Sequence, residues 1–79
     1  MPEDRMDENT TDELKKLGNI ATDMQLANKM RIQAITQLGL MASHESLLVL
    51  LNLVANDKLN VDERQLALKK AYDIVKKGR

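Results

Sequence analysis

The sequence predicts an all-α fold of four helices, arranged as two stacked antiparallel helical hairpins. Three observations predict it. Apolar residues recur at helical spacing in four segments separated by short polar turns. Thr, Ser and Asn stand at the heads of several segments, where their side-chain oxygens cap helices. The chain also matches itself when shifted by 33 residues, which lays 11–43 onto 44–76 without a gap.

Residues 1–9 hold Pro2, five charged residues and no apolar periodicity, so they read as a disordered acidic tail ahead of a single domain over 10–79. Thr10 with Glu13 has capping-box spacing, and Asp12 and Glu13 suit the positive end of a helix. The first helix then runs to about Thr22, with Leu14, Leu17, Ile20, Ala21 and Met24 on one flank. Gly18 inside it costs roughly 1 kcal/mol relative to Ala. A close helix contact justifies such a glycine; a slightly frayed helix is the simpler reading.

The second helix covers about Asn28 to Ala42, with Asn28 as its cap and Met30, Ala34, Ile35, Leu38, Met41 and Ala42 on one arc. Gly39 and Ala42-Ser43-His44 mark its end. Ser43 caps a third helix, about His44 to Ala55, whose core reads LLVLLNLVA. A helix apolar all round belongs at the buried centre of the domain. After the turn Asn56-Asp57-Lys58, Asn60 and Glu63 repeat the capping-box spacing and open a fourth helix, about Val61 to Lys77. Its apolar arc is Val61, Ala67, Leu68, Ala71, Tyr72, Ile74 and Val75. Lys76, Lys77 and Arg79 suit its negative end, beside the helix-stopping Gly78.

The 33-residue shift aligns nearly the whole apolar frame. Leu14 falls on Leu47, Leu17 on Leu50, Ile20 on Leu53, Leu26 on Leu59, Ala34 on Ala67 and Ile35 on Leu68. Repeat one is thus about 11–43 and repeat two about 44–76. Arg31 falls on Arg64, each among apolar neighbours, and a charge so placed must reach water or find a partner. The acceptors on offer lie in the preceding turns: Asp23 for Arg31, and Asn56 or Asp57 for Arg64. Each arginine would then tie its own hairpin across the turn. The alternative is that both snorkel outward from a first helical turn.

A helix pair with this spacing resembles the HEAT-repeat family of α-solenoids. The resemblance rests on Leu47, Leu50, Leu53, Asn56, Asp57, Val61, Arg64, Ala67 and Leu68, and on Leu14, Leu17, Ile20, Asp23, Arg31, Ala34 and Ile35 in the other repeat. It covers nearly everything after residue 10. Two departures stand out: no Pro follows the turn Asp, and two repeats stand where the family usually stacks more. Asp23, Leu26 and Arg31 also have the spacing of small archaeal proteins with a duplicated helical hairpin. The HEAT-like resemblance implies protein–protein scaffolding; the second implies no function.

The chemistry on offer is narrow. With no Cys there is no disulfide framework, thiolate metal site or cysteine nucleophile. His44, beside Glu45 in a first helical turn, reads as a solvated residue rather than a catalytic base. Asp12/Glu13 and Asp62/Glu63 sit at helix heads, where the dipole explains them. No convergent metal ligands and no glycine-rich phosphate loop occur, since Gly18, Gly39 and Gly78 stand alone. No catalytic residue, metal or cofactor is therefore expected, and the chain does not read as an enzyme. The polar, acidic start resembles no targeting peptide, and no apolar run spans a bilayer, so a cytoplasmic location is expected.

Lys plus Arg and Asp plus Glu number 12 each, for a net charge of zero, which removes the bulk electrostatic case for a nucleic-acid coat. The charge is segregated, however: residues 1–13 hold six acids and one Arg, residues 64–79 six bases and one acid. The lysines of the fourth helix offer weak phosphate contact, with only Tyr72 to stack a base. Three apolar residues point away from the expected core: Ile32, Leu40 and Leu66. Rimmed by Lys29, Gln33, Lys69 and Lys70, they would form a partner-binding face across the second and fourth helices. The expected function is a small protein–protein interaction or adaptor module, with weak nucleic-acid association as the alternative. Because Lys15, Lys16 and Gly18 correspond to Leu48, Val49 and Leu51, the third helix needs cover beyond its own hairpin, and a homodimer would supply it. A closed four-helix arrangement, with the fourth helix folded over the third, is the competing outcome.

Overall fold

A computed structural model describes residues 2–77, with side chains from residue 12 onward. Four helices follow in order: α1 Pro2–Ala21, α2 Asn28–Met41, α3 His44–Val54 and α4 Val61–Lys77. α1 begins at Pro2, so the start expected at Thr10 is not a helix boundary. Pro is tolerated in a first turn because its missing N–H has no intrahelical partner there. The tail expected over 1–9 otherwise falls on side chains outside the described residues.

The caps explain the other boundaries. At the head of α3, the Ser46 N–H donates to Ser43 Oγ (3.0 Å) and the Ser43 N–H to Ser46 Oγ (2.9 Å), a reciprocal capping box. At the head of α4, the Glu63 N–H donates to Asn60 Oδ1 (2.9 Å) and the Asn60 N–H to Glu63 Oε1 (3.1 Å). α2 has no such box. Its N-cap is Ala27, without a side-chain cap, and Asn28 turns its amide elsewhere. α2 also runs through Gly39 and stops at Ala42, held at φ 50° in the left-handed region.

α2 packs against α1, α3 and α4; α3 also touches α4 and α1, while among the described residues α1 and α4 do not meet. That pattern is an open stack of two hairpins, with α1 beside α3 in one layer and α2 beside α4 in the other. It is not a closed bundle. The result is a thin slab of 40 × 31 × 17 Å. Ile35 and Leu38 of α2, Leu50 of α3 and Ala67 of α4 are fully buried, joined by Ala21, Ala34, Leu53, Leu59 and Ala71. The most enclosed helix is α2 rather than α3. Leu48 and Leu51 of α3 stay exposed because a helix in a slab two layers thick leaves one side to water.

Within their layer, α2 and α4 approach closely at Gly39. A Cβ there would lie 2.8 Å from Lys70 Cδ and 3.0 Å from Lys70 Cβ. Gly39 therefore marks a helix contact, not a helix end. Gly18 lies within α1, three residues before its end, so the helix is not frayed there. A Cβ at Gly18 would meet Val49 Cγ1 at an ordinary 3.7 Å.

Candidate functional site

The joint between the repeats is built from α2 and α4. Arg31 enters from the first turn of α2 and is nearly buried; Glu63, in the first turn of α4, is fully buried. Arg31 Nε donates to Glu63 Oε2 at 2.7 Å, the one ion pair among the described residues. The Asn28 amide donates to the same oxygen. Arg31 Nη1 reaches back to the turn, donating to the carbonyls of Asp23 (3.1 Å) and Leu26 (2.6 Å). One guanidinium thus closes its own hairpin and fastens it to the next.

Burial alone would raise the Glu63 pKa. The hydrogen bonds from Asn28, Arg31 and the Asn60 amide, with the positive charge of Arg31, outweigh it and hold the carboxyl below the usual glutamate range. Among the described residues no buried side-chain nitrogen or oxygen lacks a partner. A buried pair so completely satisfied is a structural joint with no free valence for a substrate.

Repeat two departs from this pattern. Arg64 is half-buried and its Nε donates to the Val54 carbonyl (3.0 Å), at the end of α3. The acceptors expected in the turn are otherwise engaged or absent from its contacts: Asn56 Oδ1 takes the Lys58 N–H (3.0 Å), as Asp23 Oδ1 takes the Gln25 N–H (2.9 Å) in repeat one. The two turns are thus copies of one Asx-turn, closed by the Leu26 and Leu59 amides on the Asp23 and Asn56 carbonyls. The tie for Arg31 runs to the backbone of Asp23, not its carboxylate. Asp57 makes no side-chain bond to Arg64.

The expected partner face is divided by the fold. Leu40 is 70% exposed, and Lys29, Gln33 and Lys69 are exposed as well. Leu66 packs half-buried against the core, and the stem of Lys70 lies on Gly39. Ile32 is half-buried and, with Leu17, Ile20, Met30, Gln33 and Gln37, lines an open groove between α1 and α2. A second groove, beside α4, is lined by Val54, Val61, Arg64, Gln65 and Leu68. Val61, Leu68, Tyr72 and Val75, expected in the apolar core arc of α4, form an exposed stripe. No group of three His, Cys, Asp or Glu side chains among the described residues converges to hold a metal ion, and His44 is exposed at the head of α3. No described helix is long and apolar enough to cross a membrane.

Sequence reasoning missed Glu63 and Asn28 as partners of Arg31. In the sequence, the capping box with Asn60 accounts for Glu63 without a second role. The available signal was the repeat itself, which sets the charged Glu63 against the apolar Met30. No protein-family model, curated protein or solved structure matches the chain.

Proposed function

We propose that the chain is a small protein–protein interaction module of HEAT-like type, performing no catalysis and docking another polypeptide through the surface of α2 and α4. The observation that carries this reading is that large apolar side chains on those two helices are left in water: Leu40, Val61, Leu68 and Tyr72, at 70, 62, 52 and 63% exposed. A slab two helices thick has little room for an enclosed site, whereas side-by-side second helices offer an extended one. Neighbouring exposed lysines supply the polar rim that such interfaces carry.

Affinity capture from native lysate, comparing the chain with Leu40→Asp and Leu68→Asp, tests the reading. A polypeptide retained between ~50 and ~200 mM salt, and lost with either variant, supports it. Retention of nucleic acid alone, collapsing over that salt range, gives the site to the lysines of α4. Nothing sensitive to either substitution overturns the module.

A further inference from the structure

The face that ends repeat two has a counterpart inside the molecule. The 33-residue shift carries Ala21 onto Val54, Arg31 onto Arg64, Ile35 onto Leu68 and Gly39 onto Tyr72. In repeat one these positions lie mid-stack: Ala21 and Ile35 are fully buried, Arg31 is nearly so, and Gly39 touches Lys70 of the next repeat. In repeat two, Leu68 and Tyr72 stand in water with Val61 on one stripe of α4, beside the groove that Arg64 lines. The end of the stack is therefore the inter-repeat face without its neighbour.

We propose that this end docks a helical hairpin of another polypeptide, which lays a helix along α4 and offers Arg64 a carboxylate from that helix's first turn. The proposal rests on reading the chain as an interaction module. The joint defines the partner's chemistry: Arg31 takes its carboxylate from Glu63, in the first turn of the next repeat's second helix. Arg64 occupies the equivalent place, and among the described residues no carboxylate pairs with it. Covering the apolar stripe strips water from Arg64 too, and a guanidinium losing water needs an anionic acceptor.

A second copy of this chain fits poorly. Its first repeat presents Met30 where Glu63 would stand, in a groove with no charged lining residue among those described. Setting two α4 helices face to face would instead crowd Arg64, Lys69, Lys76 and Lys77 of both copies. Tyr72 in place of Gly39 adds a steric condition. The docked helix lies farther off than α4 lies from α2.

Met30→Glu turns the chain into its own probe by giving the N-terminal end the missing carboxylate. Met30 is 44% exposed in the first turn of α2, where an acid suits the dipole, and circular dichroism verifies the fold. Sedimentation equilibrium then compares wild type, M30E, M30E/R64M and M30E/L68D over about 10–300 µM. M30E is expected to form head-to-tail chains whose mean mass climbs past two copies, because this contact does not close on itself. Its apparent dissociation constant should fall about tenfold or more below that of the wild type, and both second substitutions should remove the gain. The proposal is overturned by an M30E mass equal to that of the wild type, or by a gain that survives R64M and L68D. A closed wild-type dimer indifferent to residue 30 also overturns it, assigning the face to a second copy. The lysate comparison is read separately: stacking by M30E without salt-stable capture keeps the site and drops the module reading, and the reverse drops only the site.

Discussion

Removing both members of the Arg31–Glu63 pair should cost clearly less than the two single losses added together. Glu63→Met leaves Arg31, a nearly buried cation, without its carboxylate and takes the Oε1 acceptor from the Asn60 N–H. Two turn carbonyls still hold Nη1, so the loss falls near the lower end of the roughly 3–5 kcal/mol typical for a broken buried pair. Arg31→Met strands a fully buried carboxylate with only Asn28 and the Asn60 amide as donors, and belongs at the upper end. Against a total stability of about 4–12 kcal/mol for 79 residues, either change is severe. In the double variant no buried charge remains, and methionine fills irregular space well, so the two losses should overlap by at least about 2 kcal/mol. Urea titration followed by circular dichroism at pH 7, with unchanged m-values, measures all four corners. Losses that add within about 0.5 kcal/mol would show that the two groups do not interact, and the joint described here would be wrong.

The same carboxyl makes stability acid-sensitive. Its folded pKa lies below the unfolded one, so its contribution is complete above the usual glutamate value of about 4.3 and is lost as pH falls through the folded value. Urea midpoints across pH 2–7 should therefore fall on acidification, and less steeply in the double variant. Ala42→Gly should raise stability by about 0.5–1 kcal/mol, because the left-handed conformation at φ 50° strains a Cβ and suits glycine; a drop in Tm would contradict this. The two interhelical glycines should part company. Gly18→Ala should gain up to about 1 kcal/mol in helix propensity, while Gly39→Ala should lose about 0.5–2 kcal/mol against the Lys70 stem, and thermal melts of the pair that moved together would refute the packing.

Much of the architecture is legible in the sequence because it is local. The 3.6-residue period of Ala34, Ile35, Leu38 and Met41 places a helix wherever it is read. Ser43 and the Asn60/Glu63 box mark helix heads through bonds within three residues. The repeat itself predicts equivalent hairpins, and the matching Asx-turns at Asp23 and Asn56 follow from it. Ala42 was opaque as a left-handed stop, since the usual signal there is a glycine and the nearest, Gly39, serves a contact instead.

The sequence by itself determined that this chain is helical, where three of its four helices begin, and that two hairpins share one pattern. Only the tertiary structure decided which copies of that pattern are covered. Ile35 and Leu68 are equivalent in every local respect, yet one is fully buried and the other half in water. Arg31 and Arg64 are equally alike, yet one holds a carboxylate from the next repeat and the other a carbonyl of its own hairpin. Periodicity reports which face of a helix is apolar. Burial depends on whether another helix lies against that face: α4 packs on α2 beside Ile35, and no described helix covers Leu68.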